Sequence, residues 1–97
     1  MALRTSNLYG KIVVSNRALR TVVIATAAES VGVHSAKGAE VVTMGSRMYI
    51  DLNIILKFGV SVEAVIESVR SAVKYNVENF SGMIVEYINI NVVGIKK

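Results

Sequence analysis

The chain has 97 residues, enough for one domain that buries roughly 60–65% of the surface its unfolded form exposes. Hydrophobic residues make up 53% and charged residues 19%, with a mean hydropathy of +0.50 and a net charge of +4. That excludes a disordered segment and permits an acidic partner without demanding one. The absence of cysteine excludes disulfides, Cys-ligated zinc, iron–sulfur clusters and thiol nucleophiles, and the single histidine, His34, excludes histidine triads.

The opening residues Met1 to Asn7 carry no apolar h-region, so a cytoplasmic location is the expectation. The longest nearly apolar stretch, Val22 to Ala28, is far short of the 20 or so residues a bilayer span needs. With no proline and no linker, residues 1–97 read as a single domain whose ordered core covers about 8–95.

Gly10 precedes a short apolar strand, Ile12-Val13-Val14. Ser15 suits a helix N-cap. From Asn16 to about Ser30, Leu19, Val22, Val23, Thr26 and Ala27 follow helical spacing. Ile24, Ala25 and Ala28 make the back of this helix apolar as well, which points to burial on two sides.

The small polar segment His34 to Gly38 reads as a turn. Val41 to Met44 then forms a short strand, and Gly45-Ser46-Arg47 turns it into the next, making a hairpin. From Met48 to Phe58 the period is two. Ile50, Leu52, Ile54, Leu56 and Phe58 face one way, and Tyr49, Asp51, Asn53, Ile55 and Lys57 the other.

Ser61 caps a second helix over Val62–Phe80. Its stripe is Val62, Val65, Ile66, Val69, Val73, Val77 and Phe80, and Gly82 fits the left-handed position that ends it. A last strand, Met83 to about Val93, places Ile84, Ile88, Ile90 and Val92 on one face with Glu86 as the exception. Tyr87, Asn89 and Asn91 lie on the other. The order is β-α-β-β-α-β: an α+β two-layer sandwich, with both helices on one face of a mixed sheet. A ferredoxin-like strand order is an analogy only.

No constellation for catalysis emerges. His34 lies in a turn without an orienting carboxylate, and no G-x-S-x-G elbow occurs. Glu63 and Glu67 share a solvated helix face rather than the desolvated site a general acid needs. Gly59-Val60-Ser61 has too few glycines and no lysine for a phosphate cradle. No catalytic, cofactor-binding or metal-binding residue is assigned, and no small-molecule substrate is expected.

Binding residues are easier to name. The open sheet face offers Tyr49, Lys57, Tyr87 and Asn89, the residue types with which a sheet binds single-stranded nucleic acid, although the RNA-recognition-motif signature is missing. Arg17 and Arg20 sit near a helix N-terminus, where positive charge opposes the dipole. Ile24 and Ala28 belong to an apolar patch of the kind that meets another chain.

Four stretches, in order, carry a family resemblance: Tyr9 to Ser15; Ala27-Ala28-Glu29-Ser30-Val31-Gly32-Val33; Tyr49 to Gly59; and Ser81-Gly82 followed by Ile88 to Ile95. Together they make the chain resemble the alkaline-shock protein family of Gram-positive and related bacteria, in particular its short YloU-like members. The resemblance implies a small cytoplasmic, non-enzymatic protein that tends to self-associate; members of that family are linked to cell-envelope stress, sit near the membrane through a membrane-protein partner, or are encoded beside lipid-metabolism enzymes. Departures are the short segment His34 to Glu40, where many members have a longer glycine-rich one, the basic charge, and Phe58 where a tyrosine is common. The expected function is therefore self-association and docking to a protein partner. The alternative is a small nucleic-acid-binding module using the open sheet face.

Overall fold

A computed structural model describes residues 15–97. The expected strand Ile12–Val14 lies outside the described residues. Helix α1 (Asn16–Glu29) leads into the hairpin β1 (Val33–Met44) and β2 (Arg47–Lys57). Helix α2 (Val62–Ser81) and strand β3 (Ile84–Lys96) follow. The sheet order is β1-β2-β3, with β1 antiparallel and β3 parallel to the central β2. Because β2 and β3 are direct neighbours, no strand is inserted between them, as a split βαβ arrangement would require.

The helices form where their caps and stripes place them. The Ser15 hydroxyl accepts from the Ala18 N–H at 3.1 Å and the Ser61 hydroxyl from the Ala64 N–H at 3.4 Å. Each satisfies a backbone donor that the first helical turn leaves free. Gly82 ends α2 at φ 73°, its N–H donating to the Glu78 carbonyl, a conformation that costs glycine little.

Both helices lie on one face of the sheet, α1 over β1 and α2 over β3, and pack against each other. Between the layers, Leu19, Val23 and Ala27 of α1 meet Val65, Val69, Val73 and Val77 of α2 and Met48, Ile50, Leu52, Ile54 and Leu56 of β2. Val33, Val41, Val85 and Ile88 complete the core from the outer strands.

Four expectations need correction. The segment His34–Gly38 is not a turn but the first half of β1. Register shifts leave His34 and Lys37 as extra residues opposite β2, which interrupts the alternation a strand would show. In β3 the inward residue is Val85, not Ile84. Glu86 is an extra residue between the pairs Met48/Val85 and Tyr49/Tyr87, so the phase flips there, and Ile84 is 50% exposed.

Phe58 lies one residue past the end of β2 and is 65% exposed, so it leaves the inward set. At the ends of the α2 stripe, Val62 and Phe80 are exposed. A helix of 20 residues is about 30 Å long, whereas the inward residues from Met48 to Leu56 span about 26 Å, so both helix ends overhang the core.

Candidate interaction surface

Among the described residues, nothing covers the second face of the sheet. The pairing lays its side chains out in cross-strand rows. At one end Met44, Arg47 and Ile84 form a row, followed by Val42, Tyr49 and Tyr87. Next come Glu40, Asp51 and Asn89, then Gly38, Asn53 and Asn91, then Ser35, Ile55 and Gly94. Lys57 opposite Lys96 closes the series. From Arg47 to Lys57 the face runs about 33 Å.

Its chemistry changes along that length. The first two rows form an apolar end, with Val42 at 53%, Met44 at 64%, Tyr87 at 57% and Ile84 at 50% exposure. An ion pair between Arg47 and Glu86 borders it. The middle is a network of amides around one carboxylate. Asn89 and Asn91 each donate to Asp51 Oδ1, at 3.0 and 2.8 Å, and Asn91 also donates to Asn53 Oδ1 at 2.9 Å.

The site residues expected from the sequence divide between two layers. Tyr49, Tyr87, Asn89 and Lys57 share the open sheet face. Tyr49 and Tyr87 are direct register partners, whereas Lys57 lies eight residues along β2 from Tyr49, about 26 Å away. The row holding Glu40 and Asp51 lies between them, so a strand with its bases stacked on the tyrosines would carry its phosphates across two carboxylates to reach the lysine.

Arg17, Arg20, Ile24 and Ala28 are on α1 in the helix layer. Arg17, Arg20 and Ala28 are exposed, and Ile24 is half-buried, so among the described residues the apolar back of α1 is not buried on a second side as its sequence implies. His34 is exposed, with Nδ1 3.4 Å from the hydroxyl of its neighbour Ser35. Among the described residues no group of three or more metal-ligating side chains gathers.

Sequence reasoning missed an open, shallow groove between the helices. It is lined by Thr26, Glu29, Ser30, Val31, Ser68, Ala72 and Asn76. There Asn76 Nδ2 donates to Thr26 Oγ1 at 3.1 Å, joining α1 to α2. The signal available was Thr26, a hydroxyl on the apolar face of α1.

At the far end of α2, Glu78 accepts from Lys74 Nζ at 2.7 Å and from the Val85 N–H at 2.9 Å. The lysine hydrogen bond, then the backbone one, hold its carboxyl below its ordinary pKa, outweighing the opposing effect of desolvation.

Residues 34–97 match the family model of the alkaline-shock protein 23 family, described as having cell envelope-related function. The chain belongs to this family. Its match with the uncharacterized protein YloU of Bacillus subtilis (strain 168) agrees, at 25% identity over 99% of this chain and 97% of YloU. Among solved structures, alkaline-shock protein 23 family architecture as seen here superposes on MamM CTD variants. A manganese form gives TM-score 0.67 at 17% identity, covering 80% of this chain and 96% of that one. A zinc form gives TM-score 0.68 at 15% identity, covering 84% and 87%. At these identities the likeness shows the fold alone.

Proposed function

We propose that this member of a cell envelope-related family is a non-enzymatic interaction domain that self-associates through the apolar end of its open sheet face. In that reading the assembled form docks to a protein partner at the cell envelope, a membrane protein being the partner that the family resemblance implies. The observation that carries the proposal is the cluster Val42, Met44, Ile84 and Tyr87, each half or more exposed on a face that no described element covers. Apolar clusters of this kind, rimmed by polar groups, mark contact surfaces.

A second copy suits this end and no other part of the face. Arg47 and Glu86 lie together at its rim, so a two-fold related copy meets opposite charges, as an isologous contact requires. Stacking the other ends would set Lys57 and Lys96 on their own equivalents. The strand edges are poorer candidates, since both outer strands carry register shifts and β2 supplies none of the extra residues.

The test is sedimentation velocity across a concentration series for the unaltered protein, Val42→Glu with Tyr87→Glu, and Ile24→Asp on α1. A shift to monomer confined to the sheet-face double variant supports the proposal. A monomeric unaltered protein, or dissociation with Ile24→Asp alone, overturns it.

A further inference from the structure

The opposite end of the sheet carries an independent feature. Lys57 and Lys96 are register partners on adjacent strands, and Lys97 follows directly. Like charges set directly opposite each other destabilise a sheet, so a pair held there without a counter-charge is unfavourable in the isolated chain. All seven acidic side chains of the sequence lie within the described residues. Three of them pair with Arg47, Arg70 and Lys74, and none pairs with Lys57, Lys96 or Lys97. Glu29 and Glu63 lie on α1 and α2, in the helix layer.

Apolar side chains are exposed among these lysines. Phe58 is 65% exposed and Ile95 57%, and Lys97 Nζ lies 5.2 Å from the centre of the Phe58 ring. Val31, 87% exposed, joins them, because the Gly32 carbonyl accepts from the Lys57 N–H at 2.9 Å and brings the α1–β1 loop to this end. The Phe58 N–H donates to the Lys96 carbonyl at 2.9 Å, which ties the backbone after β2 to the end of β3.

Cations without side-chain counter-charges, at the same end of the sheet as projecting apolar groups, match the interface of an anionic bilayer. Lysines there meet headgroups while aromatic and aliphatic side chains enter the acyl boundary. A second copy would bring lysines onto lysines, and a nucleic acid strand would leave Val31 and Ile95 without an apolar partner. We propose that the end of the sheet formed by Lys57, Lys96 and Lys97 with Phe58, Ile95 and Val31 binds an anionic lipid surface directly. This contact stands apart from self-association, because it uses the other end of the sheet.

The test is co-sedimentation of the full chain with vesicles of phosphatidylcholine, alone or mixed with phosphatidylglycerol, at low and high salt. Binding is expected only to the mixed vesicles and should weaken as salt screens the lysines. Lys57→Gln, Lys96→Gln and Lys97→Gln should each lower partitioning about fivefold, and the three together about a hundredfold. The triple variant should also melt no lower than the unaltered protein, since it removes the Lys57–Lys96 repulsion. That combination separates loss of a lipid contact from loss of the fold.

The sequence contains no tryptophan, so Phe58→Trp supplies a unique fluorophore whose emission should shift to the blue on mixed vesicles. Arg17→Gln with Arg20→Gln tests location against net charge. Those arginines lie on the first turns of α1, which meets the other end of β1 where Asn16 faces Thr43. Equal losses from the arginine and lysine variants would overturn the proposal. So would equal binding to neutral vesicles, or displacement from mixed vesicles by single-stranded RNA with the same lysine dependence.

Discussion

Gly32 and Gly59 offer a matched pair for measuring one packing contact. Their φ angles are nearly identical, 90° and 89°, so alanine at either meets a similar left-handed penalty, about 1–2 kcal/mol. Their surroundings differ. A Cβ on Gly32 would stand 2.6 Å from Val65 Cγ2 and 3.5 Å from Val60 Cγ1, whereas nothing lies within 4 Å of one on Gly59. Val65 is a buried core residue, only 6% exposed, and its displacement carries an overpacking cost of about 1–3 kcal/mol. Gly59→Ala should therefore cost about 1–2 kcal/mol and Gly32→Ala about 2–5 kcal/mol.

Urea unfolding followed by far-UV circular dichroism, at one protein concentration and with unchanged slope, reads both values. Val65→Ala removes the offending methyl. The double variant Gly32→Ala with Val65→Ala should thus be less destabilised than the sum of the singles, by about 1–2 kcal/mol. If the two glycine variants agree within about 0.5 kcal/mol, a value typical of independent sites, the proposed contact with Val65 does not govern this loop.

Neighbouring residues on β2 should respond very differently. Leu52 is fully buried in the core, and Leu52→Ala is expected to cost about 2–5 kcal/mol. Asp51 faces solvent, and its two amide donors can turn to water, so Asp51→Ala should cost under about 1 kcal/mol; chemical denaturation of both variants checks the contrast. Acid should weaken the junction of α2 with β3. Glu78 is held below its ordinary pKa in the folded chain, so its contribution is complete above the unfolded value and disappears as pH falls through the folded one. Glu78→Gln keeps an acceptor for the Val85 N–H but should flatten this acid limb in thermal midpoints measured against pH; parallel curves for the two proteins would count against it. Thr26→Val removes the acceptor that Asn76 uses across the helix pair, and a loss of about 1 kcal/mol is expected. A stability gain in differential scanning calorimetry would show that the hydrogen bond contributes nothing.

What was legible in the sequence follows from how locally each signal is encoded. Ser15, Ser61 and Gly82 act within one helical turn of themselves, and all three do what their residue types indicate. The alternation of β2 is readable because this strand has a neighbour on each side and contributes no extra residue to either pairing. The outer strands are harder. Each register shift adds one residue, and the four extras, His34, Lys37, Glu86 and Val93, are all exposed. They belong to long-range pairing, and no local pattern announces them. That is why the first half of β1 reads as a turn and why local alternation points Ile84 inward.

The candidate surface was legible as a set of side chains but not as a gradient. The tyrosines, the asparagines and Lys57 could be assigned to one face. Their division into an apolar end, a carboxylate-centred middle and a lysine end depends on strand order and register, and Lys96 fell beyond the expected end of the last strand.

The parallel pairing of β2 with β3 also bears on how the chain reaches its structure. Hairpin β1–β2 closes through a two-residue turn, a microsecond event in isolated peptides. The β2–β3 ladder instead needs all of α2 to be in place across the sheet, so its loop-closure entropy is lost before its contacts are gained. With no proline or cysteine in the sequence, neither isomerisation nor thiol exchange adds a slow phase. Docking of β3 then sets the rate, so substitutions in its inward residues Val85 and Ile88 should mainly slow refolding while leaving unfolding nearly unchanged.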